Sequence, residues 1–133
     1  AGFIGAPAMN FAEVTLRGEA DALFAETLGM RLRVPAHLYQ PLAAYRDQPA
    51  VLGIRPEHIA LSDGAPGASF EAGVEVIEQL GAEIVLEARV GSIAMTVARV
   101  DPGAALRQGD RLRLSVLPGR LHFFDRSTGL AIR

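Results

Sequence analysis

The densest chemistry in this sequence lies in four consecutive residues, Arg55, Pro56, Glu57 and His58, inside the stretch LGIRPEHIAL (52–61). A guanidinium, a carboxylate and an imidazole this close together are the parts of an acid/base pair with an anion grip, or of a metal site. In an extended chain, however, neighbouring side chains point to opposite faces, so Glu57 and His58 do not converge. The remaining histidines, His37 and His122, have no carboxylate at a recognisable metal spacing, so no metal site is expected. The physical reading is a strut. Pro56 fixes a bend, Arg55 and Glu57 share a face where they can pair, and His58 packs where the chain re-enters a strand.

The other candidates resolve in the same direction. His122 stands in LHFFDR between apolar neighbours, the setting of a hydrogen-bonded, partly buried imidazole rather than a catalyst. Phe123 and Phe124 point to opposite faces, one to a core and one to a partner, and are the interface candidates. Asp101, Asp110 and Asp125 adjoin Gly, Pro or turn positions, where an aspartate caps its own backbone. Ser62, Ser69, Ser92 and Ser115 lack the G-x-S-x-G context of a serine hydrolase. The arginines of GMRLRV and RLRLSV fit a solvated sheet face.

Composition narrows the classes further. The chain has 133 residues, no cysteine and a formal net charge of −2. A disulfide framework and a thiolate site are therefore excluded. All 13 basic residues are arginine, so there is no lysine for a phosphate loop, a Schiff base or a kinase-type site. Acids and arginines are interspersed, which is not the basic footprint of a nucleic-acid binder. No apolar run approaches the roughly 20 residues of a membrane-spanning helix.

The elements that must position these residues are strands. Apolar residues alternate with charged or small ones over 11–17, 30–34, 92–100 and 111–117, more loosely over 75–80, and densely over 83–90. Gly, Pro and Asp clusters separate them. Many short strands at close spacing predict a small barrel or sandwich. The stretch 35–48 predicts one short helix from about Pro41, ending before Pro49. The segment 62–70, rich in Gly, Pro and Ser, is the best internal boundary, and no internal repeat is evident.

Three stretches carry a family likeness. GFIGAPAMNF (2–11), LGIRPEHIAL (52–61) with VIEQLGAE (76–83), and LHFFDRSTGLAI (121–132) resemble, in order and spacing, the C-terminal half of ATP-binding subunits of bacterial ABC sugar importers, of the maltose and sn-glycerol-3-phosphate type. Gly53, Arg55, Pro56, Glu57 and His58 fall on that family's G-x-R-P-E-H signature. Glu78, Gln79, Leu80 and Gly81 fall on its E-x-L-G turn, and His122, Phe124, Asp125 and Gly129 on its closing H-x-F-D…G motif. Phe123 departs from the family's usual Leu.

The resemblance implies a mainly β, OB-like regulatory (TOBE) region over 1–133, a fragment lacking the nucleotide-binding domain. It implies a homodimer through this region, an ATPase domain in cis and membrane permease subunits as partners, on the cytoplasmic side of the bacterial inner membrane. ATP and Mg would be bound by the missing domain, with no catalytic residue or cofactor in the fragment. The alternative is a small-anion-binding OB-like domain of molybdate or sulfate type, against which the acidic balance and the lack of an S/T-x-R-N-like loop both weigh.

Overall fold

Alternating side chains build ten strands in the structure, a computed structural model that describes residues 8–62, 69–117 and 119–133. They are β1 (Asn10–Glu19), β2 (Ala22–Thr27), β3 (Met30–Arg33), β4 (Pro49–Ile54), β5 (Ile59–Leu61), β6 (Ser69–Leu80), β7 (Glu83–Val90), β8 (Ile93–Val100), β9 (Arg111–Val116) and β10 (His122–Phe124). All pair antiparallel, in two five-stranded sheets of order β10-β4-β1-β2-β3 and β5-β9-β6-β7-β8. The short strands expected from the periodicity and the mainly β, OB-like class implied by the resemblance agree with the architecture observed.

The two sheets share one plan. In each, a three-stranded meander (β1-β2-β3 or β6-β7-β8) is followed by a strand that returns beside the meander's first member (β4 or β9). A fifth strand then flanks the returning one. These fifth strands are exchanged: the chain leaves β4 and enters the second sheet as β5, and it leaves β9 and enters the first sheet as β10. Two crossovers therefore connect the sheets, at 55–58 and 117–121, and the Leu117 amide donates to the His58 carbonyl at 2.9 Å. The internal repeat is real at the level of topology, although the sequence shows none.

One apolar core spans both sheets. Leu16, Leu52 and Ile54 from the first and Leu86, Met95 and Leu114 from the second are almost completely buried in a single cluster. Each full burial contributes about 1.5–3 kcal/mol relative to exposure. On the outer faces the arginines are solvated and paired, as anticipated. Arg31 bonds Glu26 at 2.7 Å and Glu19, with its guanidinium 3.8 Å from the Phe24 ring centroid, and Arg111 bonds Glu71 at 2.8 Å. Arg113 reaches Ser69 Oγ at 3.3 Å.

The predicted helix does not form. Among the described residues there is no α-helix, and 35–48 carries two 3-10 turns, Ala36–Leu38 and Ala43–Tyr45. Pro41 lacks an amide to donate and steers Gln40 away from helical backbone, and too few residues remain before Pro49 to repay a helical nucleus. Leu42, fully buried between the turns, anchors the segment to the core. The internal boundary proposed near 62–70 falls largely on residues 63–68, outside the described residues; the strand before it, β5, belongs to the same sheet as the strands after it.

Candidate functional site

Parts of three signature stretches, far apart in sequence, lie on three adjacent strands: Asn10 and Phe11 on β1, residues 52–54 on β4 and residues 122–124 on β10. Phe11 of β1 and His122 of β10 are both register partners of Gly53 in β4. Directly opposed residues share a face, so Phe11, Gly53 and His122 form one outward row, with Phe124 two residues farther along. The rings of Phe11 and Phe124 meet edge-to-face at 5.6 Å between centroids. A Cβ added to Gly53 would lie 2.5 Å from Met9 Sδ and 2.8 Å from Phe124 Cε2, so these side chains close over a position only glycine can occupy. Phe11 is 57% exposed while Phe123 is 2% exposed. Phe123, offered as an interface residue, is instead a core residue, because β10 turns it into the shared apolar core.

Arg55, Pro56, Glu57 and His58 form the first crossover. Pro56 opens a single 3-10 turn over Pro56–His58 and is buried, and the His58 amide donates to the Arg55 carbonyl at 2.9 Å. Arg55 and Glu57 form no ion pair with each other. His58 Nδ1 is buried without a hydrogen-bond partner. The quartet carries the chain from one sheet to the other.

The closing motif is a turn held by its aspartate. Asp125 Oδ1 accepts the Ser127 and Thr128 amides, each at 2.8 Å, and Oδ2 accepts the Tyr45 hydroxyl at 2.8 Å. Gly129, at φ +74°, donates to the Asp125 carbonyl at 2.8 Å. The Thr128 amide first, then the Tyr45 hydroxyl and the Ser127 amide, hold the Asp125 carboxyl below the ordinary carboxylate value. Asp101 and Asp110 likewise accept nearby amides, of Gly103 at 2.8 Å and Arg107 at 2.9 Å.

The E-x-L-G stretch is the β6–β7 hairpin. Leu80 pairs with Glu83, and Gly81 takes φ +63° at the first of two turn residues. Glu78 and Leu80 are exposed there, and the hairpin is not brought to the Phe11 row.

One residue with a clear task was quoted in the sequence without a role. Asn10 Nδ2 donates to the Thr96 carbonyl at 2.9 Å and its Oδ1 accepts the Thr96 amide at 2.8 Å. A side chain on the first sheet thus imitates a strand partner for β8 of the second. Thr96 Oγ1 in turn donates to Glu87 at 2.9 Å.

Beside the Phe11 row, an open groove of about 680 Å³ is lined by Met9, the 3-10 turn residues His37 and Leu38, Arg55 and Gly119 of the crossovers, and His122 and Phe124 of β10, among others. Among the described residues no group of three or more His, Asp or Glu side chains gathers to hold a metal. The arrangement offers packing surfaces and cationic donors, with no converging nucleophile and base.

Comparison with known proteins fits this picture. Residues 52–124 match the TOBE domain and residues 5–59 the MalK OB fold domain. The chain is 42% identical over 97% of its length to the sn-glycerol-3-phosphate import ATP-binding protein UgpC of Cereibacter sphaeroides, of which it covers 33%. It is 34% identical over its full length to the multiple sugar-binding transport ATP-binding protein MsmK of Streptococcus mutans, of which it covers 36%. It is 33% identical over 98% of its length to the sulfoquinovosyl glycerol transport ATP-binding protein SmoE of Agrobacterium fabrum, of which it covers 35%.

The chain thus spans about a third of the length of the curated relatives it matches. Among solved structures, the cytoplasmic molybdate-binding protein ModG aligns over 90% of this chain and 96% of its own, with a TM-score of 0.62 at 14% identity, a likeness of fold. With the family pattern spanning residues 52–124, more than half of its length, this chain belongs to the TOBE domain family.

Proposed function

We propose that this chain is the regulatory and dimerisation domain of the ATP-binding subunit of an ABC importer for carbohydrates or sn-glycerol-3-phosphate. The observation that carries the reading is the exposed Phe11, with half-buried Met9 and Phe124 packed beside it, on strands that carry residues of the signature stretches of import ATP-binding subunits. An apolar patch of this kind suits a two-fold contact between identical subunits.

In this reading ATP and Mg are held by a nucleotide-binding domain upstream, and the subunit works on the cytoplasmic face of the membrane with permease subunits. The region described here contributes a persistent contact that keeps two motor domains at high effective concentration. Regulation follows from differential binding: a ligand or protein that favours one arrangement of the pair shifts the equilibrium toward it.

Sedimentation of the 133-residue chain tests the dimerisation half. A monomer–dimer equilibrium that Phe11→Ser abolishes is expected; a monomer at every concentration overturns it. An ATP hydrolysis assay tests the other half, because turnover by this chain alone would contradict a purely regulatory role.

A further inference from the structure

Among the described residues, five of this protein's 13 arginines are answered by acids. Arg17, Arg31, Arg89, Arg111 and Arg126 each reach a carboxylate, as expected in a chain of net charge −2. The groove beside the crossovers is different. Arg55, His37, His122 and Arg133 line it, and no described lining residue is acidic. Among the described residues the Arg55 side chain has neither a hydrogen bond nor an ion pair, and the same holds for Arg120 next to it in the second crossover.

The surroundings act on one of these groups. Burial first, then the charges of Arg55, His58 and Arg120, lower the pKa of His122 below the ordinary imidazole value. Like charges gathered without a counter-charge repel, and a bound anion removes that repulsion. Apolar residues, Met9, Leu38, Pro41 and Leu121 among them, also line the groove. At about 680 Å³ the groove has room for a small molecule with a carbon skeleton, well beyond a bare oxyanion.

We propose that this groove binds a small organophosphate, its phosphoryl oxygens taking hydrogen bonds from the Arg55 guanidinium and the His37 and His122 imidazoles while its carbon skeleton covers the apolar lining. Arginine supplies a planar fork suited to the oxyanion, and two imidazoles add directional donors. Crossovers and 3-10 turns, rather than a basic surface stripe, position these donors, so the site has a single location. The inference goes beyond the regulatory reading and does not depend on dimerisation.

Calorimetric titration of the 133-residue chain at constant ionic strength, with phenyl phosphate and with inorganic phosphate, tests it. Saturable single-site binding of phenyl phosphate is expected, tighter than that of inorganic phosphate. Arg55→Gln should weaken it about tenfold or more, the loss of one charge-assisted contact, whereas Arg107→Gln, outside the groove, should leave it unchanged. In the wild-type chain the ring-proton NMR signals of His37 and His122 should move in step with saturation, a readout that needs no variant to fold. Absence of saturation, unchanged affinity in Arg55→Gln, or saturation that leaves both imidazoles unmoved would overturn the site. Equal affinity for inorganic phosphate would overturn its organic specificity.

Discussion

Gly53 is required by contact rather than by backbone conformation: the space a Cβ would fill is taken by Met9 and the edge of Phe124. Gly53→Ala is expected to destabilise the fold by about 1–3 kcal/mol through overpacking, read as a lower urea midpoint. Because Met9 Sδ is the flexible end of its side chain, adding Met9→Ala should recover part of the loss. Asp125 gives a prediction in pH. Its carboxyl is held below the ordinary value of 3.8 by the Thr128 amide, the Tyr45 hydroxyl and the Ser127 amide. A depressed carboxylate contributes stability that is fully present above the unfolded pKa and is lost as pH falls through the lower folded value. Thermal unfolding followed from pH 7 downward should therefore show a loss beginning near pH 4 that is smaller in Asp125→Asn.

Between elements, the Asn10 clamp is the directional link from β1 to β8. Asn10→Ala is expected to cost about 1–3 kcal/mol, since it strands the Thr96 amide and carbonyl, and hydrogen exchange at the Thr96 amide should accelerate more than at neighbouring ladder amides. The strands themselves were largely legible. β7, β8 and β9 match the expected spans to within a residue because most of their outward positions are charged or small, Val85 of the densely apolar β7 excepted. β2 escaped because its outward Phe24, lying under the Arg31 guanidinium, puts an apolar residue on the wet face and blurs the period. β10 has only three residues, too few for a period to show. The signature residues were found by resemblance, and the meeting of Phe11, Gly53, His122 and Phe124 on one sheet matches no local pattern. The groove was not legible at all: His37 enters it from a 3-10 turn, Arg55 from one crossover and His122 from beyond the other, and only tertiary pairing unites them.

For the whole molecule, the exchange of β5 and β10 makes the two sheets dependent on each other. Residues 8–62 contain β1–β5 but lack β10, and residues 69–133 contain β6–β10 but lack β5, so each piece holds a strand belonging to the other's sheet. Expressed separately, the two pieces should remain unfolded by circular dichroism and regain strand signal when mixed; a piece that folds alone would refute this dependence. The intact chain should melt in one cooperative step, because its core is a single cluster. The same exchange has a consequence in the order of synthesis. β4 leaves the ribosome roughly 70 residues before its outer partner β10, an interval of roughly 3–14 s at bacterial elongation rates. Through that interval β4 offers an open edge, the kind of surface on which strands from other chains add. The sheet begun first is finished last, so a message cut short yields a product with an adhesive border that a chaperone or protease can recognise as incomplete.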